Sequence, residues 1–166
     1  MAPWMLRNGR RSDLPVLQQL WHQMMDLHRE RDARFRFGAD VDRDLKRHFL
    51  EAMASRQALV LVAEAEGAVV GYALGWLQNR RPIYPAGRYG FISDLFVLPQ
   101  WRRRGIGRGL VAAILEWFAA RDATDVELFV AHANPDARAF WAAMGFEPFL
   151  DLVRKPLRHE DGPSYN

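Results

Sequence analysis

The chain has 166 residues, of which 49% are hydrophobic and 26% are charged, as expected for one globular domain with a substantial core. The formal net charge is +3, and the arginines are spread along the chain, so the composition does not favour a nucleic-acid binder. The absence of cysteine excludes disulfides, thiolate metal sites and a cysteine acyl-enzyme, and the five histidines show no metal-ligand spacing, so we expect no metal.

The start of the chain does not predict a secretion signal. The first residues lack the apolar stretch of a secretion signal, and no apolar run approaches the length of a membrane span. We therefore expect a cytoplasmic protein with no membrane partner. We expect one domain over residues 1–158 and a flexible C-terminal tail over residues 159–166.

The first part of the chain predicts a short strand and two helices. Trp4–Arg7 fits the strand, and Ser12 or Asp13 can cap the first helix. Both helices carry apolar side chains at helical spacing. These are Leu14, Leu17, Trp21 and Met24 in the first helix, and Val41, Leu45, Phe49 and Met53 in the second.

The middle of the chain predicts four strands and one helix. Ala58–Glu64 and Ala68–Leu77 are apolar runs joined by a tight turn, and Phe91–Val97 is a third run. A helical pattern follows from Ile106, and Val126–Val130 is the next strand. Strand, helix and strand form a βαβ unit, so we expect its two strands to be parallel.

A basic, glycine-rich turn lies between the third strand and the helix and reads Arg102-Arg103-Arg104-Gly105-Ile106-Gly107-Arg108. Unpaired N–H groups at a helix start, glycines without Cβ and nearby arginines together predict a polyphosphate site at residues 102–108. The alternative is a solvated helix start whose glycines serve only the turn. The turn has no Gly-Lys-Ser/Thr, and its distance from Val97 does not fit a dinucleotide motif.

The C-terminal part predicts one more helix and one more strand. Asn134-Pro135-Asp136 is typical of a helix start, because it combines a cap, a proline at the first position and an acid in the first turn. Gly145 marks the helix end. Phe146–Val153 predicts the last strand of the domain.

Two of these segments resemble motifs of the GNAT family of N-acetyltransferases. Arg102-Arg103-Arg104-Gly105-Ile106-Gly107 is similar to the family's coenzyme A loop, Arg/Gln-x-x-Gly-x-Gly/Ala, which follows a strand ending in valine. The segment from Asn134 to Phe146 resembles a second motif, Asn-x-x-Ala-x-x-Phe-Tyr-x-x-x-Gly-Phe. The resemblance implies an α/β fold of the GNAT acyl-CoA N-acyltransferase type, with a mixed central sheet of about six strands and about four helices on its two faces.

The resemblance also implies that acetyl-CoA is the co-substrate. Backbone groups of Phe96 and Val97 would pair with pantetheine amides. The pyrophosphate would be held by Arg102, Arg103, Arg104, Gly105, Ile106, Gly107 and Arg108. Asn134 would touch the pantetheine arm and Phe140 would lie near the thioester, although Asn134 is a competent helix cap and Phe140 a core residue without any ligand.

Acetyl transfer to an amine needs a group that removes a proton, because an ordinary amine is protonated at neutral pH. In the family, a carboxylate on the strand before the loop frequently serves as this base. Asp94 is the matching residue, expected on one strand face with Ile92 and Phe96, where burial would raise its pKa. The alternative is a structural aspartate, and Glu64 is the second candidate base.

One residue departs from the family pattern. The second motif has a tyrosine that commonly protonates the leaving thiolate, and this chain has Trp141 in its place. An indole N–H donates a hydrogen bond but is not an acid at ordinary pH. Tyr72, Tyr84, Tyr89 or solvent would have to substitute, or the thiolate would leave unassisted.

The segment between the first two helices often lines the acceptor pocket in the family. The resemblance therefore implies substrate contacts at His28, Asp32 and Phe35, with Asp26 and Glu30 available to attract a cationic amine. The alternative is a solvated loop with its aromatic residues tucked inward. The expected partner is a small-molecule or peptide amine, with no nucleic acid and no membrane, and a homodimer is possible.

Two other functions stay open at this point. A non-catalytic acyl-CoA-binding or sensing module would bind the cofactor without turnover, and Trp141 in place of tyrosine motivates it. A nucleic-acid binder using the basic turn would show steeply salt-dependent binding that coenzyme A does not affect.

Overall fold

The computed structural model describes residues 4–83 and 85–157. The tail expected at 159–166 and the candidate Tyr84 lie outside the described residues. In chain order, the strands and helices are β1 Trp4–Asn8, α1 Leu14–Arg31, α2 Val41–Ala54, β2 Ala58–Ala65, β3 Ala68–Asn79, β4 Arg88–Val97, α3 Ile106–Ala119, β5 Ala123–Leu128 and α4 Pro135–Ala143. Short 3₁₀ turns at Arg11–Asp13 and Pro99–Trp101 precede α1 and follow β4.

The strands form a mixed sheet in the order β1-β2-β3-β4-β5. The first four strands are antiparallel neighbours, and β5 runs parallel to β4. The predicted parallel βαβ unit is thereby confirmed. The carboxyl end of β4 and the start of α3 lie at the same end of the sheet, as the short connection between them requires.

Two apolar clusters lie on opposite faces of the sheet. Leu17 of α1 and Phe49 of α2 pack on Tyr72 of β3 on one face. Ile106 and Ile114 of α3 belong to the cluster on the other face, where α4 contributes Trp141. The fully buried Val, Leu, Ile and Phe side chains each stabilise the fold by about 1.5–3 kcal/mol relative to exposure, so both faces contribute to the core.

Glycines let α3 approach the sheet closely. A Cβ at Gly75 would lie only 2.5 Å from Ile114 Cδ1 and 2.8 Å from Phe118 Cζ. A Cβ at Gly90 would overlap the Phe118 ring in the same way. A larger residue at either strand position would therefore require the Ile114 or Phe118 side chain, or α3 itself, to shift.

The prediction of a last strand at Phe146–Val153 is wrong. Within the described residues the sheet has five strands, and residues 146–157 have no regular secondary structure. Phe146 packs on the core, but the apolar side chains that follow it are exposed. The β-forming composition of this segment is real, yet a strand also needs a partner edge, and the segment meets none in the described chain.

The start of α1 also differs in detail from the expectation. Asp13 occupies the cap position, but its side chain makes no capping hydrogen bond to the helix. Its carboxylate instead accepts two hydrogen bonds from the Arg7 guanidinium, at 2.7 and 3.0 Å, and one from the Arg10 backbone N–H at 2.7 Å. Asp13 thereby joins β1 to the turn before α1.

Candidate functional site

A β-bulge at Ser93 divides β4 into two parts. Asp94 lies opposite Leu74 of β3, whereas Ile92 lies opposite the next residue, Gly75. Ser93 therefore has no paired residue on β3. Side chains on either side of a bulge change faces. Ile92 packs in the α3 cluster, whereas Asp94 contacts Tyr72 under α1 and α2. The prediction that Ile92 and Asp94 share a face, made from simple alternation, is wrong for this reason.

The bulge is also the point at which β5 leaves β4. The last residues paired between β4 and β5 are Ile92 and Leu128, and from 94 to 97 no strand among the described residues lies beside β4 on the side away from β3. This stretch is called the open edge below. In an antiparallel ladder, hydrogen-bonded pairs alternate. Because Leu98 N–H donates to the Val70 carbonyl at 2.9 Å, the ladder places the backbone groups of Val97 at the open edge.

The same alternation decides how the other open-edge residues are oriented. Phe96 is paired with Tyr72 and directs its N–H and C=O towards β3. Leu95, like Val97, directs its backbone groups away from β3. Of the two residues expected to offer backbone contacts, Val97 is therefore at the open edge and Phe96 is not, and sequence reasoning missed Leu95.

The start of α3 lies just beyond the open edge and is uncapped. Gly105 occupies the cap position with φ +84°, and no side chain makes a capping hydrogen bond. The first backbone N–H groups of a helix have no intrahelical partner and lie at the positive end of its dipole. Ile106 is fully buried and anchors this first turn to the core. The backbone of the turn is therefore fixed while its donors stay available to an anion.

Four arginines flank these donors along the chain. Arg102, Arg103, Arg104 and Arg108 form no salt bridge with any acid of the described residues. The Arg104 guanidinium lies 4.6 Å from the centre of the Trp101 ring. The backbone carbonyl of Arg104 accepts a hydrogen bond from Trp4 Nε1 at 3.0 Å. The turn thus combines a fixed backbone with uncompensated positive charge.

Arg102 lies across the open edge itself. Its Nε donates to the Val97 carbonyl at 2.9 Å, and its guanidinium carbon is 5.6 Å from the centre of the Phe96 ring. Burial, followed by the charge of Arg31, holds the pKa of Arg102 below its ordinary value. Arg31, at the end of α1, is 3.5 Å from Asp136 of α4. The sequence gives no signal for this meeting of α1, α4 and the turn.

The second motif packs α4 against the turn. The Asn134 side chain caps α4 by accepting a hydrogen bond from Ala137 N–H at 3.1 Å. Phe140 lies next to Gly107, where an added Cβ would be 3.5 Å from its ring. Trp141 is buried between Phe140 and Phe146, with ring centres 5.1 Å away in both cases. Trp141 is therefore a core residue.

Asp94 is a buried carboxyl group, 9% exposed. One oxygen accepts a hydrogen bond from Ser93 Oγ at 2.7 Å, and the other lies 3.4 Å from the Tyr72 hydroxyl. Burial raises the pKa of Asp94, while the Ser93 hydroxyl and the charge of His48 act in the opposite direction. The result is a carboxyl group whose pKa lies above that of an exposed aspartate.

Glu64, the second candidate base, is engaged elsewhere. Its carboxylate is 2.8 Å from Arg7 Nε. Glu64 lies opposite Val69 of β3 and Asp94 opposite Leu74, so they are separated by roughly 16 Å along the sheet at 3.3 Å per residue. The two carboxylates do not form one site.

The tyrosines proposed as substitutes for the missing acid also differ in position. Tyr72 is fully buried, and burial followed by the charge of Asp94 raises its pKa well above the ordinary value. The Tyr89 hydroxyl donates to Gln78 Oε1 at 2.6 Å. Tyr89 precedes Val97 by eight residues, or roughly 26 Å along the strand. Tyr89 is therefore far from the open edge, whereas the buried Tyr72 hydroxyl lies 3.4 Å from Asp94 at its start.

The three candidate substrate residues lie together at the end of α1, with His28 in its last turn and Asp32 and Phe35 just after it. The His28 and Phe35 rings are stacked with centres 4.9 Å apart. His28 Nδ1 is buried and has no hydrogen-bond partner within the described residues, and burial lowers the pKa of this histidine. Arg34 Nε donates a hydrogen bond to the Asp32 carboxylate at 2.9 Å, and the hydrogen bonds from Arg34 lower the pKa of Asp32 to about 2. Asp32 is thus ionised but already paired.

A cavity of about 460 Å³ opens beside this segment. Its lining includes the four cationic side chains Arg34, Arg36, Arg154 and Lys155. Asp26, one of the acids expected to attract an amine, lies 3.5 Å from Arg29. The surroundings of the proposed acceptor residues are therefore more basic than the sequence suggested.

Two further features concern ligands and membranes. No group of three or more histidine, aspartate or glutamate side chains within residues 4–83 and 85–157 is arranged to hold a metal ion. In the same part of the chain, no helix combines the length and the apolar character of a membrane span.

Comparison with protein families finds one that covers most of the chain. The model of the acetyltransferase (GNAT) family matches residues 21–146. An aminoglycoside N(6′)-acetyltransferase type 1 of Stenotrophomonas maltophilia is 33% identical over 135 residues, which cover 75% of this chain and 85% of that protein. An uncharacterized N-acetyltransferase of Archaeoglobus fulgidus is 36% identical over 101 residues, covering 61% and 68%.

Solved structures share the fold. A mutant of the BH1408 protein from Bacillus halodurans matches with a TM-score of 0.81 and 25% identity, covering 93% of this chain and 99% of that one. The aminoglycoside acetyltransferase AAC(6′)-Iy in complex with a bisubstrate analogue matches with a TM-score of 0.76 and 18% identity, covering 95% and 100%. The latter supports similarity of fold alone.

Proposed function

Because the chain belongs to the GNAT acetyltransferase family, we propose that it transfers an acetyl group from acetyl-CoA to a primary amine of a small molecule or peptide. One observation carries this proposal. The open edge of β4 lies beside the uncapped start of α3, so backbone groups and arginines face the same space. Acetyl-CoA has an extended arm with amide groups that ends in a pyrophosphate. Its amides match the open edge, and its phosphates match the start of α3.

In this proposal, the pyrophosphate binds the backbone N–H groups at the start of α3, within reach of the turn arginines. The pantetheine arm pairs with the backbone of Val97 and Leu95 along the open edge, as an added strand would. The Arg102 side chain must then leave the Val97 carbonyl, and its guanidinium becomes available to the phosphates. Asn134 and Phe140 line the opposite wall on α4.

The chemistry proposed is direct attack in a ternary complex. The neutral amine nitrogen attacks the thioester carbon, the carbon–sulfur bond breaks, and coenzyme A leaves as the thiolate. Asp94 takes the amine proton, directly or through the Ser93 hydroxyl, because its raised pKa suits a base better than that of an exposed aspartate. The thiolate leaves without a tyrosine acid, since thiols are already fairly acidic.

The acceptor is the least constrained part of the proposal. His28 and Phe35 offer a flat, partly buried surface, and the unpartnered His28 Nδ1 can hydrogen-bond a polar acceptor group. The aminoglycoside and L-2,4-diaminobutyric acid acetyltransferases among the relatives make both amino sugars and amino acids reasonable first acceptors.

Calorimetric titration with acetyl-CoA, followed by thiol release over a panel of amines, tests the proposal. The panel should include an aminoglycoside, a diamino acid, a polyamine and a peptide. Binding with amine-dependent thiol release supports the transferase, whereas absence of binding contradicts it.

A charge-matched pair of variants makes the binding test specific. Replacing Arg103 and Arg104 together by alanine should weaken acetyl-CoA binding by about tenfold or more, because each charged hydrogen bond contributes about 1.5–3 kcal/mol. Replacing Arg43 and Arg47 on α2 removes the same charge and should leave the affinity unchanged. Equal loss in both double variants would indicate a general electrostatic effect instead of a site.

The non-catalytic acyl-CoA-binding module is the second candidate. It is favoured by Trp141, whose ring is packed in the core where the family motif has its tyrosine. It predicts acetyl-CoA binding with no thiol release for any amine of the panel, an outcome that the same experiment distinguishes.

A further inference from the structure

The cavity of about 460 Å³ beside the segment after α1 has a strongly cationic lining. It is called the basic cavity below. Four of its six lining residues are cationic and none is acidic, namely Ala33, Arg34, Arg36, Arg154, Lys155 and Pro156. Like charges gathered around a concave surface repel one another and attract anions to it. The lining therefore indicates a negatively charged ligand.

One acid of the described residues pairs with a cation of this lining. Arg34 forms an ion pair with Asp32, and the charge of Arg154 also contributes to the lowered pKa of that carboxyl. Arg36, Arg154 and Lys155 form no salt bridge with any acid of residues 4–83 and 85–157. Four cationic residues are thus matched by one carboxylate, and the basic cavity keeps an excess of positive charge.

Aromatic side chains position the two arginines that come from the segment after α1. Residues 34–37 alternate in type and read Arg-Phe-Arg-Phe. The rings of Phe35 and Phe37 pack on aromatic side chains of α1, with ring centres 4.9 and 5.1 Å away. The two phenylalanines hold the segment against the helix, and Arg34 and Arg36, which precede them, line the basic cavity. The cationic lining is therefore attached to the core of the domain.

The basic cavity lies next to the wall of the proposed coenzyme A site. Arg31, the last residue of α1, is 3.5 Å from Asp136 of α4, and its charge contributes to the lowered pKa of Arg102 at the open edge. Ala33 of the lining follows Arg31 by two residues, so their Cα atoms are at most about 7 Å apart. A molecule held in the basic cavity can therefore extend towards the open edge.

We propose that the basic cavity binds an anionic group of the acceptor, a carboxylate or a phosphate, while the acceptor amine extends to the open edge. This role rests on the proposed function and deepens it by naming the class of acceptor. Arginine guanidinium groups match the oxygens of either anion with paired hydrogen bonds. A primary amine is itself cationic at neutral pH, so the four cations repel a polyamine or an aminoglycoside. An amino acid or an amino phosphate carries the compensating negative charge.

Calorimetric titration with matched pairs of compounds tests the basic cavity without any acetyl transfer. The pairs are glycine and glycinamide, lysine and lysinamide, and phosphoethanolamine and ethanolamine, at constant ionic strength, with and without coenzyme A. In at least one pair, the anionic member should bind about tenfold or more tightly than its partner, because hydrogen bonds between charged groups are strong. The pair with the largest ratio distinguishes a carboxylate from a phosphate. Equal affinity in every pair, or no binding at all, would overturn the proposal.

Two double variants locate this preference. Arg36→Gln with Arg154→Gln removes two charges of the lining and should bring the affinities within each pair to within about threefold of each other. Arg11→Gln with Lys46→Gln removes two exposed charges outside the lining and should keep the wild-type preference. An equal loss in both double variants would contradict a local site. A loss of acetyl-CoA affinity in the first would assign the cavity to the cofactor, which also contradicts the proposal.

Thiol release with the same pairs separates this inference from the proposed function. The anionic member should have the higher kcat/KM, mainly through a lower KM, because the cavity binds a group that does not react. Thiol release that is equal within every pair would overturn the role of the cavity and leave the transferase intact. Preferential binding without thiol release from any amine would overturn the transferase and the acceptor role together, but not the anion site.

Discussion

The Ser93 hydroxyl lies 2.7 Å from a carboxylate oxygen of Asp94, at the residue where β4 loses its register with β3. The one extra residue turns Asp94 towards the face covered by α1 and α2. The pairing of β5 with β4 ends at the same place. The open edge and the candidate base therefore both begin at this bulge.

Replacing Ser93 by alanine should move the acidic limb of the pH–rate profile to higher pH. The hydroxyl stabilises the ionised carboxylate of Asp94, so its removal raises the pKa of that group further. A hydrogen bond to a charged group contributes about 1.5–3 kcal/mol, which corresponds to a shift of about one to two pH units. The measurement is kcat/KM for the best amine as a function of pH.

The matched control is Ser55→Ala. The Ser55 hydroxyl accepts a hydrogen bond from the Gln57 N–H after α2 and lies outside the candidate site. It should leave the acidic limb where it is in the wild type. An unmoved limb in Ser93→Ala would mean that a group other than Asp94 limits the rate at low pH.

Replacing Asp94 by asparagine should stabilise the fold at neutral pH while lowering kcat by about 10²–10⁴-fold. The pKa of Asp94 is raised in the folded state, so the folded protein binds a proton more tightly than the unfolded chain does. Wild-type stability therefore falls as pH rises from about 3.9, the unfolded value, through the raised folded value. Asparagine has no such charge to bury.

Urea unfolding from pH 3 to pH 8 measures this difference. The stability of Asp94→Asn relative to the wild type should be greatest at neutral pH and should vanish near pH 3, where both states of the wild type are protonated. A variant that is less stable than the wild type at pH 8 would show that the ionised carboxylate is a structural group.

Gly105 and Gly107 should respond differently to alanine. Gly105 has φ +84°, which an L-residue adopts at a cost of about 1–2 kcal/mol, although there is room for its Cβ. Gly107 lies inside α3, where a Cβ would make an ordinary 3.5 Å contact with Phe140. Gly105→Ala should lower the free energy of unfolding, whereas Gly107→Ala should leave it unchanged or raise it by up to about 1 kcal/mol.

Thermal unfolding without ligand checks the stability of both variants, and each serves as the control for the other. Equal destabilisation would contradict the assignment of Gly105 as the left-handed residue at the start of the helix.

Local patterns account for what the sequence could predict. The helices at Leu14 and Val41 follow from apolar spacing, and the start of α3 follows from the glycines and the buried Ile106. The orientation of Asp94 could not be predicted, because a bulge depends on the register between two strands and leaves no mark in the alternation of one. The contact between Arg31 and Asp136 could not be predicted either, because it joins residues more than a hundred positions apart.

The missing last strand has a different cause. Phe149, Leu150, Leu152 and Val153 have the composition of a strand, and the sequence indicates that correctly. A strand is stable only when its backbone groups are paired, and pairing depends on which edge the chain can reach. The composition of these residues therefore predicts a strand, although their backbone is unpaired in the described chain.

Replacing Asp13 by asparagine should destabilise the fold by about 2 kcal/mol at pH 7, because hydrogen bonds to the partly buried Arg7 are weakened. The hydrogen bonds from Arg7 hold the pKa of Asp13 below its ordinary value. The stability that this carboxylate contributes is therefore complete above about pH 3.9 and is lost as pH falls through the lowered folded value. The difference between variant and wild type should shrink over that range.

Asp40→Asn is the control, since Asp40 pairs with Arg43 on the exposed surface of α2 at 3.1 Å. An exposed pair of this kind contributes at most about 1 kcal/mol, so this variant should differ little from the wild type at any pH. Chemical denaturation of both variants at pH 7 and pH 3 separates the two cases. If Asp13→Asn were as stable as Asp40→Asn at pH 7, the link between β1 and the turn before α1 would contribute nothing, and Glu64 alone would hold Arg7 in place.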